Sequence, residues 1–598
     1  MNKSNEFGTG SSSPPPQSAV NDETEAQDFG NLNSEHQNCD HLQHESSVTD
    51  VRYLKHDDDD EIEVEKPKPS TDDDSSSASG SISERSSRFE FGRRPEVTRT
   101  ISDVRDGIES RHDVEAAPPL EKQPTPRHLA DPNLVTWSND DPENPKTWSM
   151  KQKWAAVSVV STFTLISPVS STMTAPALNS IANELNITNE FEKQLSLSIF
   201  VLAYAIGPLL LGPLSELFGR VIVLQLANLF YLFFNLGCGL CHTKVQLIVF
   251  RFLSGFGGSA PLAIGGGVLS DLFTAEQRGK AMSIYSLAPL LGPAIGPIAG
   301  AFISENTSWR WIFYATTIAD AVIQCSGLFF LRETYAPVLL RWRKEKLIKE
   351  TGNTQLYTDF DSPDKTVSRT LATAFVRPFR MLFTQPIIQV LALYMMYLYG
   401  LMYLILSTFP GLWASYGMST GIGGLNYIAL GLGFFLGAQI CAPIQDRIYA
   451  RLKKHYNVSV GRPEFRIPMM IPGAIMMPVG LIIYGWTAQY RVHWIGPDIG
   501  VVLLSGGVII GFQAIQGFLV DSYTRYAASA VAAATVLRSL AGFGFPLFAP
   551  SLYAKLDYGW GNTMLAFVGV AIGWPGPILL WRYGEKLRAN STFAAGPR

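Results

Sequence analysis

The chain has 598 residues, enough for several soluble domains, but its apolar residues are concentrated in runs of about 20 residues that begin near Trp154. This distribution excludes an ordinary multi-domain soluble protein and predicts a membrane protein. The formal net charge of −4 is divided between separate segments, so it identifies no partner, and we expect no nucleic acid to bind.

Residues 1–150 form a polar segment ahead of the first apolar run. It is rich in Ser, Asp, Glu and Pro and contains the acidic run Asp57–Asp60. Such a composition cannot bury enough apolar surface to offset the chain entropy that folding would remove. The tail is therefore predicted to be largely disordered, with the disorder covering residues 1–130. The aromatic stretch from Trp137 to Trp148 is predicted to be a short interfacial lead-in to the first membrane helix. Because its first residues are polar, no signal peptide is expected, and the first membrane helix would act as the targeting signal.

Twelve membrane helices are predicted from the apolar runs, because each run can cross about 30 Å of hydrocarbon. They cover residues 153–175, 194–214, 221–241, 246–269, 280–302, 311–331, 386–409, 422–442, 466–488, 496–519, 527–549 and 561–582. Lysine and arginine side chains are concentrated in one set of connecting loops, which includes the long segment 332–385. The positive-inside rule then places these loops and both termini in the cytoplasm.

Two parts of the chain repeat each other. The stretch Gly212-Pro-Leu-Ser-Glu-Leu-Phe-Gly-Arg220 is echoed by Ala442-Pro-Ile-Gln-Asp-Arg-Ile-Tyr449, and Asp271-Leu-Phe-Thr274 recurs as Asp521-Ser-Tyr-Thr524. Internal similarity of this kind predicts one structural unit used twice. The loops that link these helices could be moving joints. The alternative is that each motif simply ends a helix. The candidate gating residues are Gly212, Glu216, Gly219, Arg220, Asp446 and Arg447.

Three charged side chains lie inside predicted membrane helices, away from the ends of those helices. Arg251 is in the fourth helix, Asp320 is near the middle of the sixth, and Arg538 is in the eleventh. A charge within the bilayer costs at least about 2.5 kcal/mol, so such residues face a polar interior or find a partner. Asp320 is a candidate proton carrier and Arg251 a candidate coupling residue. The alternatives are a structural, hydrogen-bonded Asp320 and an Arg251 that extends toward the headgroups.

The fifth predicted helix carries the sequence Gly292-Pro-Ala-Ile-Gly-Pro-Ile-Ala-Gly300. Its glycines form one stripe of small residues, which lets a neighbouring helix approach closely. Its prolines each remove a backbone donor and bend the helix. A bent helix with a flat face could rock against a partner, whereas ordinary tight packing is the plainer interpretation. The residues of this motif are Gly292, Pro293, Gly296, Pro297 and Gly300.

Other candidate residues lie in the second half and in the outer loops. Aromatic and amide side chains suit amphipathic organic molecules, although aromatics at helical spacing are also typical of packing. The substrate-cavity candidates are Tyr394, Tyr397, Tyr403, Gln513, Gln516 and Arg538. Asn186-Ile-Thr188 and Asn306-Thr-Ser308 would face outside, so Asn186 and Asn306 are possible N-glycosylation sites. No metal site, Walker motif or catalytic constellation is found, and an enzyme is not expected.

From about Asn144 to Arg588 the chain resembles fungal major facilitator superfamily (MFS) transporters, in particular the twelve-span drug:proton antiporter group. Gly212–Arg220 is similar to the family's loop motif, with Glu216 where Asp is usual. Arg251–Ser259 is similar to its fourth-helix motif, which is associated with proton coupling. Gly292–Gly300 is similar to the fifth-helix motif typical of antiporters.

The resemblance implies a proton-coupled antiporter that exports hydrophobic or cationic small molecules by alternating access. Such cargo includes drugs, fungicides and a fungal toxin or secondary metabolite. The partners would be the small organic substrate, H+ and the lipid bilayer, with the proton gradient as energy source and no cofactor. We expect a monomer in the plasma membrane. An uptake permease driven by proton symport and a non-transporting membrane sensor remain the alternatives.

The expected fold is therefore an all-α membrane protein with the MFS fold, in which twelve transmembrane helices form two pseudo-symmetric six-helix bundles. The expected divisions are the cytoplasmic tail 1–150, the N-terminal bundle 151–331, the cytoplasmic linker 332–385, the C-terminal bundle 386–584 and the cytoplasmic C-terminal tail 585–598.

Overall fold

The computed structural model describes residues 131–138, 140–361, 367–458 and 461–594. Most of the predicted disordered tail, residues 1–130, lies outside these ranges. Regular structure in the described residues is helical, apart from one isolated bridge between Leu134 and Tyr357. The helices are α1 Met150–Thr172, α2 Leu178–Glu184, α3 Glu190–Phe218, α4 Arg220–Leu240, α5 Lys244–Gly258, α6 Ala260–Leu272, α7 Ala275–Asn306, α8 Arg310–Phe330, α9 Ala336–Thr351, α10 Val367–Thr384, α11 Pro386–Ser415, α12 Thr420–Leu425, α13 Tyr427–His455, α14 Met470–Gln489, α15 Ile495–Ser522, α16 Ala527–Gly573 and α17 Pro575–Ala589.

Membrane-spanning helices account for most of the described chain. Eleven helical segments there are long and apolar enough to cross a membrane, and the last of them is Thr524–Ala589. This segment contains both the eleventh and the twelfth predicted helices. They meet within α16 at Asp557, whose φ of 51° and ψ of −179° are not helical. The eleven segments thus overlap all twelve predicted helices, and the predicted all-α membrane fold is confirmed.

Polar side chains set the first turn of several membrane helices. Ser149 and Gln152 form a capping box at the start of α1, and Thr243 and Gln246 form another at the start of α5. In each box the two side chains satisfy backbone N–H groups that have no partner within the helix. At the start of α3, the Asn189 side chain accepts a hydrogen bond from the Phe191 N–H. These caps fix where the chain enters each apolar segment.

The first and second halves pack against each other along two pairs of helices. α3 lies along α16, and α7 lies along α13. Large apolar side chains on the outer faces stay uncovered, such as Phe233 and Phe329, which are 68% and 81% exposed. Lipid tails are as apolar as these side chains, so such outer faces are stable within a bilayer. The polar groups of the spans are instead found inside the bundles and at the contact between them.

The segment before α1 binds to the connection between the halves. The Val135 N–H donates to the Tyr357 carbonyl at 2.8 Å, and the Tyr357 N–H donates to the Asn133 carbonyl at 3.0 Å. Arg343 of α9 forms an ion pair with Asp141 at 2.5 Å. Burial acts to raise the pKa of Asp141, but the hydrogen bond and charge of Arg343 outweigh it, so this pKa lies below its ordinary value. Asp141 is therefore ionised at neutral pH, and the last part of the predicted tail is ordered.

Candidate functional site

Arg251 lies in α5 and is fully buried. Its guanidinium donates to the carbonyls of Ser170 and Ser171 at 3.0 and 3.1 Å, and to the Thr174 hydroxyl at 3.2 Å. Longer bonds of 3.3 Å reach the carbonyls of Ser196 and Leu197 in α3. Five acceptors on two segments of chain therefore hold one buried cation.

The position of these acceptors explains why a positive charge is stable there. α1 ends at Thr172, so Ser170 and Ser171 are in its last turn, where carbonyls have no partner within the helix. A cation at a helix C-terminus also interacts favourably with the helix dipole. The ring of Phe200 lies 4.7 Å from the guanidinium carbon and adds a cation–π contact. Within the described residues, Arg251 forms no ion pair with a carboxylate.

Asp320 lies in α8 and is also fully buried. Its Oδ2 accepts a hydrogen bond of 2.9 Å from the Asn228 side chain of α4, which also donates to Gln324 at 2.8 Å. Its Oδ1 has no hydrogen-bond partner among the described residues. A buried carboxyl oxygen without a donor is costly unless a proton or a mobile donor can reach it. Asp320 thus has one oxygen held in place and one left free.

A second polar group connects α8 with the region of Arg251. Asn235 of α4 donates to the hydroxyls of Thr316 and Thr317 at 2.9 Å each. Its amide oxygen accepts from the Ser170 hydroxyl at 3.3 Å. Ser170 therefore touches this group through its side chain and Arg251 through its carbonyl. Arg251 and Asp320 share one bundle but do not contact each other directly.

The predicted loop motif is held by Glu333, which lies three residues after the end of α8. Gly219 has a φ of 109°, a left-handed conformation that favours glycine, and an added Cβ would lie 2.5 Å from Glu333 Oε2. The Glu333 carboxylate accepts from the N–H groups of Arg220 and Val221 at 2.9 and 3.0 Å. It thereby caps the start of α4, where an acidic group is electrostatically favoured.

The side chain of Arg220 crosses to the end of α6. Its Nε lies 3.3 Å from Asp271 Oδ2, and its Nη1 donates to the Ser215 hydroxyl at 2.8 Å. Glu216 is further away, at 3.8 Å, and is half exposed. Arg220 therefore pairs mainly with Asp271, and Glu216 contributes a weaker contact. Gly212 lies one helical turn before Glu216, with no atom within 4 Å of an added Cβ.

The second half repeats this pair with a different arginine. Arg466, just before α14, donates to Asp521 Oδ2 at 2.6 Å at the end of α15. Asp446 and Arg447, the residues singled out by the echo of the loop motif, are exposed and form no ion pair within the described residues. The repeated Asp271 and Asp521 were the sequence signal that could have found Arg466. The duplication is thus visible as two ion pairs in equivalent places.

Aromatic rings and one arginine gather where the halves meet. The Tyr403 hydroxyl of α11 lies 2.9 Å from the Ser171 hydroxyl of α1, a direct hydrogen bond between halves. The rings of Tyr403 and Tyr399 are 5.1 Å apart. The guanidinium carbon of Arg538 lies 5.0 Å from the Tyr399 ring and 5.2 Å from the Phe512 ring. We call Tyr399, Tyr403, Phe512 and Arg538 the interface cluster.

The other predicted cavity residues lie in different surroundings. Tyr394 is buried and packs near Gly573 of α16, and the Tyr397 hydroxyl donates to the Leu565 carbonyl of the same helix. Gln513 and Gln516 are half-buried in α15. Gln516 is one turn after Phe512, so it shares a face with the interface cluster. Tyr399 and Phe512 were not singled out in the sequence because many aromatics recur at helical spacing.

The glycine stripe of α7 packs against α1. An added Cβ would lie 2.5 Å from Pro168 at Gly292, 2.5 Å from Thr172 at Gly296 and 2.0 Å from the Met173 carbonyl oxygen at Gly300. At Gly296 and Gly300 a backbone oxygen lies within 2.6 and 2.0 Å of the added Cβ, and at Gly292 the obstacle is the rigid ring of Pro168. Real Cβ atoms do not approach other atoms so closely, so each position favours glycine. Pro293 and Pro297 lie inside the helix between these glycines.

The other face of α7 receives glycines of the second half. An added Cβ at Gly424 of α12 would lie 2.3 Å from Ala301, and one at Gly431 of α13 would lie 2.7 Å from Ala294. Glu305 at the end of α7 accepts from the Gly421 N–H at 2.7 Å. α7 is therefore packed closely on two faces. Asn186 and Asn306 are exposed near the same end of the bundle.

Comparison with known families and proteins identifies the family to which most of the helical region belongs. The family model described as Major Facilitator Superfamily matches residues 160–546. The efflux pump vrtL of Penicillium aethiopicum is 50% identical over 78% of this chain and 92% of its own length. The efflux pump radE of Floropilus chiversii is 43% identical over 77% of this chain and 86% of its own length.

Solved structures give the same fold. The Escherichia coli xylose transporter XylE in a partially occluded, inward-open conformation superposes with a TM-score of 0.53, covering 72% of this chain and 98% of XylE. At 15% sequence identity this likeness concerns the fold alone. It confirms the predicted arrangement of two six-helix bundles.

Proposed function

Since the chain belongs to the Major Facilitator Superfamily, we propose that this transporter is a proton-driven antiporter that exports hydrophobic organic molecules. Drugs, fungicides and a fungal toxin or secondary metabolite are cargo of this kind. The observation that carries the proposal is the interface cluster, because its half-buried Tyr399, Phe512 and Arg538 lie where the two bundles meet. Aromatic walls with a few polar groups suit amphipathic molecules of varied shape. Relatives that are efflux pumps support export rather than uptake.

Proton coupling is assigned to Asp320, with Arg251 as a positioning residue. Asp320 has one buried oxygen without a donor, which suits a group that takes up and releases a proton. Through the Ser170 and Asn235 contacts, a change near α8 can reach the C-terminal turn of α1. The Ser171–Tyr403 hydrogen bond then transmits this change to the second half of the chain. The transporter thereby exchanges a proton for its substrate by alternating access.

The membrane arrangement follows from the distribution of basic residues. Both termini and the connection 332–385 lie in the cytoplasm by the positive-inside rule, and the division into two bundles at residues 331 and 386 follows the same boundaries. The transporter works as a monomer in the plasma membrane, without a cofactor or enzymatic activity. Asn186 and Asn306 are exposed on the outer side and accept N-glycans.

Transport driven by a proton gradient is the test. The full-length protein is reconstituted into vesicles with an acidic lumen, and a hydrophobic dye without a titratable group is added outside. We expect the dye to concentrate in the lumen at least about fivefold, because proton exit drives substrate entry. A protonophore should remove this accumulation, and Asp320→Asn should permit exchange of the dye without concentrating it.

Protein-free vesicles and the protonophore together define the background of that assay. Equal dye accumulation with and without a gradient would contradict proton coupling. Concentration of the dye by Asp320→Asn at the wild-type rate would assign the proton to another group.

The two equivalent ion pairs act as cytoplasmic locks. Asp271→Asn removes the charge opposite Arg220, a pair that is mostly shielded from solvent. We expect gradient-driven export to fall about tenfold at unchanged membrane amount, because Arg220 then keeps only its weaker ionic contact with the half-exposed Glu216. Export is measured per molecule in the membrane. Asp446→Asn is the matched control, since Asp446 is exposed and unpaired within the described residues. An equal loss in both variants would show that the pair is not the cause.

A further inference from the structure

Arg538 is a membrane charge whose surroundings in the described residues supply no counter-charge. The rings of Tyr399 and Phe512 lie 5.0 and 5.2 Å from its guanidinium carbon. Its Nε is buried and has no hydrogen-bond partner, and no carboxylate among the described residues lies within ion-pair distance. Aromatic faces attract a cation, but they do not neutralise its charge.

Two buried arginines of the described chain have hydrogen-bond partners for their guanidinium groups. Arg251 donates to carbonyls at the end of α1. Arg588 donates twice to the Glu464 carboxylate, at 2.9 and 2.8 Å. Because the fold supplies partners to these arginines, the lack of a partner at Arg538 is a specific feature of its position. An unpaired charge inside a membrane is costly, and such residues mark substrate pathways.

The location of Arg538 connects it with the path between the halves. Gly542 lies one helical turn further along α16, and an added Cβ there would lie 2.9 Å from the Tyr399 ring and 3.0 Å from Val201 of α3. Tyr399 in turn contacts Tyr403, which is hydrogen-bonded to α1. Arg538 is only partly buried, so part of its side chain is accessible. The guanidinium is therefore next to the contact that alternating access would open and close.

We propose that the exported molecule is acidic: an aromatic compound with a carboxylate or ionised phenol that binds the Arg538 guanidinium. This inference rests on the proposed function and names the substrate class of that same site. A guanidinium forms short, charge-assisted and often bidentate hydrogen bonds with a carboxylate. Tyr399 and Phe512 supply aromatic surface for the body of the molecule. A cationic molecule would instead meet a like charge at Arg538. This disfavours cationic cargo, which the resemblance to drug antiporters implied.

Binding of three probes that differ in charge tests this proposal. The full-length protein in lipid nanodiscs is titrated at pH 7 with 1-naphthoate, 1-naphthylmethanol and 1-naphthylmethylammonium, which share one aromatic body. We expect the naphthoate to bind at least about tenfold more tightly than the ammonium probe. Arg538→Gln should weaken naphthoate binding about tenfold or more and change binding of the neutral alcohol less than about threefold. Arg538→Lys should recover part of the naphthoate affinity, because the charge is kept.

Arg525→Gln is the matched control, because Arg525 is an exposed arginine just before the same helix. It should leave all three affinities unchanged. Three results would overturn the proposal: tightest binding of the ammonium probe, unchanged naphthoate binding in Arg538→Gln, or an equal loss of all three probes in that variant. The last result would make Arg538 a structural residue.

The dye-accumulation experiment separates this inference from the function on which it rests. If the wild-type protein concentrates the neutral dye with a proton gradient but shows no preference for naphthoate, only the acidic substrate class is wrong. If the protein transports no probe under any gradient, the export function itself is wrong.

Discussion

Replacement of Arg251 by alanine is expected to abolish gradient-driven transport while the protein still inserts into the membrane. The change removes five hydrogen bonds to acceptors in and just after α1 and in α3. Hydrogen bonds from a charged donor contribute about 1.5–3 kcal/mol each. The loss of two such bonds therefore exceeds the roughly 2.7 kcal/mol that corresponds to a hundredfold change in rate. We expect export to fall at least about 100-fold.

Arg251→Lys separates charge from geometry. Lysine keeps the positive charge but has three donors on a compact ammonium, so it cannot reach acceptors on two segments at once. We expect it to insert in wild-type amount and to remain nearly inactive. Export per molecule in the membrane and downhill dye exchange without a gradient are measured for both variants. Loss of concentration with retained exchange would indicate a coupling role, which a purely structural residue would not show.

Arg582→Ala serves as the control, because Arg582 is an exposed arginine of α17. It should export normally. A wild-type rate of dye concentration by Arg251→Ala would show that the contacts with α1 and α3 are dispensable.

The number and order of membrane helices could be predicted because apolar runs of sufficient length determine where a chain crosses a bilayer. Helix ends were harder to predict. The eighth predicted helix ended at residue 442, whereas α13 continues to His455 through polar and basic residues. A helix that leaves the membrane does not need apolar side chains, so hydropathy does not show where it ends.

The candidate site was only partly accessible from the sequence. Arg251 and Asp320 are rare charges in apolar runs, and this rarity identified them. The partners of Arg251 are mostly backbone carbonyls, which every residue has, so no residue type could reveal them. Tyr399 and Phe512 differ from neighbouring aromatics only in the face of the helix on which they lie. That face is decided by packing between the two halves.

The contact between the segment before α1 and the connection between halves was also not expected. It depends on backbone hydrogen bonds between Val135 and Tyr357 and on the Arg343–Asp141 ion pair. The two segments are about 200 residues apart in the chain, and no pattern in the sequence pairs them. Two separate polar segments became ordered because each supplies the other's hydrogen-bond partners.

Replacement of Gly300 by alanine is expected to give the largest loss of folded protein from a single methyl group. The added Cβ would lie 2.0 Å from the Met173 carbonyl oxygen and 2.9 Å from its carbon. Both are backbone atoms, so relief requires α7 and α1 to move apart. Overpacking of this kind costs about 1–3 kcal/mol or more. Moving the two helices apart would also loosen their contacts at the other glycines of the stripe. We expect the yield of monodisperse protein and its unfolding temperature to fall together.

Gly544→Ala in α16 is the matched control, because no atom lies within 4 Å of an added Cβ there. Alanine in an open helical position should be neutral or stabilise by about 0.4–1 kcal/mol, since it reduces the entropy of the unfolded chain. The two variants make the same chemical change within membrane helices, so their difference isolates the contact between α7 and α1. Equal unfolding temperatures would mean that these helices are not packed as closely as the structure places them.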